Sequence, residues 1–186
     1  MELKRVVVTG LGVISPIGND VETTWNNALK GVSGAGPITH FDASKFKTQF
    51  ACEVKNFNAA EHFDRKKLRQ LDLYAQYALV AAKQAVEDAN LEAESINKDR
   101  VGVIVAAGIG GLHTFEEEAG YYAVHGEEQG PKYNPFFIPK MIADIASGHI
   151  SMQYGFHGPN YGVVSACASS NNAIIDAFNL IRLGKA

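Results

Sequence analysis

An α/β domain built on a mixed, mostly parallel sheet with helices on both faces is what this sequence predicts, and three observations predict it. Short apolar runs at 5–9, 101–107 and 161–165 read as buried strands, the first two closed by glycine and the third running into small residues. Segments of helical periodicity lie between and after them. Strands that alternate with helices favour parallel pairing, because each crossover helix then covers a face of the sheet.

Taken in order, the run 5–9 is β-branched and ends at Gly10. Asp20 is placed to cap a helix reaching about residue 30, and the Gly-, Ser- and Pro-rich stretch 32–46 is irregular. In 50–54, Phe50, Cys52 and Val54 alternate with Ala51, Glu53 and Lys55, which predicts a strand with Cys52 on its apolar, core-facing side. Asp72 is placed to cap a long helix to about residue 90 whose apolar residues, among them Tyr74, Ala78, Ala81 and Ala85, fall on nearly all sides. The strand 101–107 ends in the cluster Gly108, Gly110 and Gly111. A helix over about 113–125 carries an acidic edge at Glu116, Glu117 and Glu118. A loop with Pro131, Pro135 and Pro139 leads to a helix over about 140–154. The last strand, 161–165, enters Cys167 directly, and a helix over 168–183 shows Ile174, Ile175, Phe178 and Ile181 as its apolar face.

Composition narrows the function. At 186 residues, 46% of them apolar and 20% charged, the chain suits one globular domain with a core. A net charge of -3 supplies no global attraction to nucleic acid or anionic lipid, and no apolar run approaches a membrane span. A cytoplasmic location and no nucleic-acid or membrane partner are the expectation. The two cysteines form no CxxC pair, and the six histidines show no paired ligand spacing, so no metal or cofactor is expected. Gly10, Gly12 and Ser15 approach a dinucleotide fingerprint, but the third glycine is missing and Pro16 blocks the helix that should open there. No GxSxG pattern frames Ser165 or Ser169, which argues against a serine-hydrolase elbow.

The sharpest signal is VVSACASSNNAI, where Cys167 sits at the passage from strand to helix. Unpaired N–H groups and the positive end of the dipole at a helix start stabilise a thiolate. Small neighbours leave room for a carbonyl, and backbone amides there can bind a developing oxyanion. The same residue also reads as a small apolar side chain packed into a turn, and spacing alone leaves the two readings level.

VVSACASS and its helix resemble the nucleophile turn of the condensing enzymes of the thiolase-like superfamily. VVVTGLGVISPIGN, DRKKLRQLDLYAQYAL, GVIVAAGIGGL and NPFFIPKMIADIASGHIS follow the order found in the beta-ketoacyl-acyl-carrier-protein synthases of type II. This likeness spans essentially the whole chain. It implies that residues 1–186 form the N-terminal half of a thiolase-like αβαβα fold, without the C-terminal half that supplies two histidines, a lysine and a gating phenylalanine loop. It further implies a 3-oxoacyl-ACP synthase of fatty-acid biosynthesis, in which Cys167 accepts an acyl group and malonyl-ACP condenses with it by decarboxylative Claisen chemistry. The Cys167 amide would form one arm of the oxyanion hole. Condensation by this chain alone is not expected, and a non-catalytic fragment that binds acyl chains and carrier protein is the alternative. An unrelated cysteine-nucleophile acyltransferase or hydrolase is a third possibility.

On the same likeness, Ile109 and the neighbouring Gly108 line the acyl pocket, against the plain reading of a strand-to-helix turn. Phe137, or Phe136 if the alignment slips by one, reaches the partner subunit's pocket, against core packing. The basic cluster Arg65, Lys66, Lys67 and Arg69, with Lys66 and Arg69 at the matching contact positions, meets acyl carrier protein, against a merely solvated face, and Gln70 departs from a further basic position. A homodimer paired through the strand before Cys167, about 160–165, completes the expectation.

Overall fold

The structure, a computed structural model, describes residues 3–186. Helix α1 (Val21–Leu29) starts where the Asp20 carboxylate accepts the Thr23 N–H, as its sequence position promised. Strands β1 (Gly36–Pro37) and β2 (Phe50–Ala51) form a short antiparallel pair that closes the following loop. A one-turn helix, α2 (Arg65–Leu68), precedes the long α3 (Leu73–Asp88), which Asp72 caps. Strand β3 (Val103–Ala106) leads through the glycine turn into α4 (Leu112–Gln129). Helices α5 (Phe137–Met141) and α6 (Ile145–Tyr154), strand β4 (Asn160–Val163) and α7 (Ser169–Arg182) complete the chain.

The organising unit is the parallel pair β3–β4, in register from Val103 opposite Asn160 to Ala106 opposite Val163. Helices α6 and α7 pack against its two faces, and α3 lies behind α6. The core sits between α3, α6 and β3, where Ala75, Leu79, Val86, Val103, Ala146 and Ile150 are buried together. Burying each of the larger aliphatic chains stabilises the fold by about 1.5–3 kcal/mol. This arrangement brings the C-terminal ends of β3 and β4 side by side, with the glycine turn after one and Cys167 after the other.

Several expectations are corrected. Residues 5–9 are not a strand: they pair with no neighbour among the described residues, and Val8 is 81% exposed. A cavity of about 580 Å³ separates Val8, Thr9 and Gly10 from Val103 and Val105 of β3. A β-branched run becomes a strand only where a second strand lies within about 5 Å. Farther on, this segment is instead tied to α3 through side chains, with Leu11 N–H donating to Asp88 and Val13 N–H to Gln84, both at 2.9 Å. Gly12 lies so close to α3 that a Cβ there would stand 1.9 Å from the Ala81 carbonyl oxygen. Close helix contact, not a phosphate, accounts for that glycine.

The strand at 50–54 is shortened to two residues and inverted, since Phe50 and Cys52 are exposed where a core position was expected. The single helix over 140–154 is two helices, broken at Ile142, whose ψ of 139° is extended. The helix after Gly111 is longer than expected, running to Gln129. The sheet is two separate two-stranded pairs, one parallel and one antiparallel. Finally, Ile174, Ile175, Phe178 and Ile181 of α7 are exposed, and Ser169 and Ala173 are the residues that α7 buries. Apolar periodicity shows which face seeks cover, but not whether a further layer is there to give it.

Candidate active site

Cys167 lies in a single 3-10 turn, Ala166–Ala168, between β4 and α7, and it is exposed. The packed-turn reading is thereby set aside. The turn is strained at one point: Ala166 takes φ +50°, the left-handed region that a side chain disfavours by about 1–2 kcal/mol. Such strain persists only where surrounding bonds over-determine it. Here Ser169 Oγ accepts the Ser165 N–H at 2.8 Å and donates to the Ala166 carbonyl at 2.7 Å, and Ala168 N–H donates to the Ser165 carbonyl at 3.1 Å. Asn172 donates from Nδ2 to Ser165 Oγ at 2.7 Å, adding a tie from the next turn of α7. Cys167 N–H makes no backbone hydrogen bond among the described residues. No side chain caps α7; the amides of Ala168 and Ser169 at its start are taken by the Ser165 and Ala166 carbonyls, so Cys167 N–H is the amide left open at the junction.

Beside this junction, the turn after β3 is shaped by its glycines. Gly110 has φ +91°, and a Cβ on it would stand 2.4 Å from the Met141 carbonyl oxygen. Gly111 N–H donates to that same carbonyl at 2.9 Å. The turn is also held from the other side by the buried Asp72, which is 5% exposed. One carboxylate oxygen of Asp72 accepts the Tyr74 N–H, and the other accepts both the N–H and the hydroxyl of Thr114. A single acid therefore caps α3 and pins the first turn of α4. Tyr74 extends the clamp by donating its hydroxyl to the Ile142 carbonyl at 2.6 Å, and burial and the nearby Asp72 and Asp144 charges push that phenol up to about 12.

Gly108 and Ala107 border a cleft of about 510 Å³ whose other walls include Ile14, Tyr77, Val105 and Ser170. Ser170 follows Cys167 by three residues, so the cleft opens beside the turn that carries Cys167. Ile109 stands at the rim, 67% exposed, and lines none of the larger cavities among the described residues. Phe137 stacks on Tyr133, with ring centroids 5.4 Å apart, and faces Phe115 at 6.4 Å. Phe136, next to it, is exposed.

The basic cluster divides. Arg65 and Lys66 on α2 and Arg69 at its C-cap are exposed, whereas Lys67 turns inward to His149, Nζ to Nδ1 at 3.2 Å. A lysine ammonium only donates, so Nδ1 accepts and the ring proton sits on Nε2. Nε2 is buried without a partner. Burial and the Lys67 charge lower the affinity of His149 for a second proton, and burial likewise lowers the Lys67 pKa. The patch is thus anchored to the interior by the one member that does not face solvent.

Sequence reasoning missed three residues here. Asp72 was legible as a cap but not as a clamp on α4, since its second partner is 42 residues away. His149 carried no spacing signal, and the buried role of Ser169 was hidden by its place beside a cysteine. Among the described residues no group of His, Cys, Asp or Glu is arranged to hold a metal ion, and no helix is long and apolar enough to cross a membrane.

An open cysteine at a strand-to-helix junction, in a parallel α/β layer with a glycine-lined cleft beside it, defines an α/β protein with an accessible thiol. The chain belongs to the beta-ketoacyl synthase family: residues 3–186 match the profile of "Beta-ketoacyl synthase, N-terminal domain". It is 46% identical over 186 residues to 3-oxoacyl-[acyl-carrier-protein] synthase 2 of Staphylococcus aureus, covering 98% of this chain and 44% of that protein. The corresponding synthase of Synechocystis is 44% identical and is likewise covered over 44% of its length. Among solved structures, the ishigamide ketosynthase/chain length factor superposes with a TM-score of 0.88 at 32% identity, over 99% of this chain and 45% of its own. The chain thus spans less than half the length of these relatives.

Proposed function

We propose that this chain is the nucleophile-bearing half of a 3-oxoacyl-ACP synthase of type II, with residues 1–186 as its N-terminal domain and Cys167 as the acyl acceptor. In the first step Cys167 Sγ, as thiolate, attacks the carbonyl carbon of an acyl thioester carried on acyl carrier protein. A new C–S bond forms, the bond to the carrier's sulfur breaks, and that sulfur leaves as a thiolate that takes up a proton. The free Cys167 N–H at the positive end of the α7 dipole supports the reading that developing oxyanion charge is met there. In the intact synthase, malonyl-ACP then loses carbon dioxide, its α-carbon attacks the acyl carbonyl, and the Cys167 thiolate is released. Residues beyond this chain would supply the groups for that second step.

The carrier protein is taken to dock on Arg65, Lys66 and Arg69, whose exposed positive charge suits an acidic partner. Gly108 and Ile109 are assigned to the acyl chain, and Phe136 or Phe137 to the pocket of a partner subunit. Strand β4 pairs only with β3 among the described residues, so its outer edge is available for the twin strand of a homodimer. A cytoplasmic enzyme is the matching location.

The observation that carries the proposal is the exposure of Cys167 at the strained junction before α7. Intact-mass measurement after incubation with acyl-ACP, followed by peptide mapping, tests it. An acyl adduct on Cys167, absent from Cys52, which is also exposed, and lost in Cys167→Ala, is the expected result. Carrier-protein binding without any adduct favours the second reading, a binding module without acyl transfer. Turnover of the thioester to free acid by this chain alone points to a hydrolase instead.

A further inference from the structure

Ser169 is 4% exposed, and nothing in the acyl-transfer chemistry requires a hydroxyl there. Yet its side chain makes two short bonds to the segment that precedes the nucleophile, accepting from Ser165 N–H and donating to the Ala166 carbonyl. Its own backbone N–H donates to the same Ala166 carbonyl. One residue therefore holds that carbonyl twice and the neighbouring amide once. Among the described residues Ala166 is the only one within ten positions of Cys167 with positive φ, and it has no glycine's freedom to be there. Without Ser169 Oγ, the bonds left on this segment are the Ala168 N–H to Ser165 carbonyl bond, the Asn172 tie to the Ser165 hydroxyl and the Ser169 backbone bond.

We propose that Ser169 is a positioning residue for Cys167: its hydroxyl locks Ala166 in the left-handed conformation and so fixes the direction in which Cys167 projects its thiol. The inference deepens the synthase reading and rests on it for its catalytic meaning, but its geometric content stands apart from acyl transfer. A relaxed Ala166 would rotate the peptide that leads into Cys167, turning both the Cα–Cβ bond and the N–H that adjoin the reacting carbonyl. Displacements of this kind are costly, because a misplacement of about 1 Å lowers rates by about 100-fold.

The test compares the full chain with Ser169→Ala, Ser169→Thr and the double variant Ser169→Ala/Ala166→Gly. Iodoacetamide alkylation, read peptide by peptide, gives the rate at Cys167 relative to Cys52, which serves as an internal reference in every variant. Ser169→Ala is expected to change that ratio by about tenfold. Ser169→Thr, which keeps the hydroxyl, should restore it, and so should the added Ala166→Gly, because glycine adopts positive φ without the side-chain penalty. A ratio unchanged in Ser169→Ala overturns the proposal, as does a changed ratio that neither restoring variant corrects. If Ser169→Ala does not fold, recovery of fold and ratio together in the double variant still supports the lock, and its failure there opposes it. Acyl transfer from acyl-ACP is followed in parallel. Loss of transfer in the parent chain counts against the synthase reading while the alkylation ratio still decides the role of Ser169.

Discussion

Asp72 and Thr114 stand 42 residues apart in sequence and share two hydrogen bonds in the interior, with the backbone N–H of Thr114 reaching the carboxylate at 3.0 Å. Removing the acid leaves a buried N–H and hydroxyl unpaired and takes the cap from α3. Asp72→Ala should therefore lower stability by about 2–4 kcal/mol. Thr114→Val removes the hydroxyl alone and should cost less. A double-mutant cycle read by urea denaturation should return a coupling of about 1–2 kcal/mol between the two sites. Additive losses would mean the pair does not act as a clamp.

The glycines of the adjoining turn are not equivalent. Gly110→Ala places a methyl against the Met141 carbonyl at a φ that side chains resist, so it should destabilise the chain by about 1–3 kcal/mol. Gly108→Ala meets nothing within 4 Å and should leave the melting temperature almost unchanged. Thermal unfolding of the two variants checks the contrast, and equal effects would contradict it.

His149 binds a proton less readily than its ordinary value of 6.5, first through burial and second through Lys67. The unfolded chain therefore binds more protons than the native one as pH falls below about 6.5, and stability drops in that window. The loss levels off once pH passes below the folded value. Between pH 7.5 and 5.5 the parent chain should lose more stability than His149→Gln, measured by denaturant midpoint. A parallel fall in both would remove His149 as the cause. The inward-facing Lys67 has its own lowered pKa, and its contribution changes only on the alkaline side.

On the proposed docking, Lys66→Glu and Arg69→Glu should weaken carrier-protein binding and flatten its dependence on salt, with little change in stability, because both side chains, on α2 and at its C-cap, are exposed. Lys67→Glu should behave differently, since its partner is the buried His149, and should destabilise the chain. Calorimetric titration with acyl carrier protein at two ionic strengths, alongside melting curves, separates these outcomes.

What the sequence disclosed follows from how local each cause is. Asp20 and Asp72 were readable as caps because an N-cap depends on its own next three residues. The strand-helix passage at Cys167 was readable for the same reason, and the family likeness placed the chain correctly. The run 5–9, the face of Cys52 and the apolar side of α7 were misread because each depends on a neighbour far along the chain or not within it. Periodicity reports the preference of a segment, and packing decides whether that preference is met. The break at Ile142 and the Lys67–His149 contact belong to this second kind.

The two-stranded pair at the centre has consequences for handling and for life in a cell. Its outer ladders, together with Val8 standing bare beside the cavity, offer extended backbone a ready place to add. A net charge of -3 is a weak defence against such edge-to-edge pairing. Expressed by itself, a segment with such open borders should give a higher yield when holdase chaperones are co-expressed.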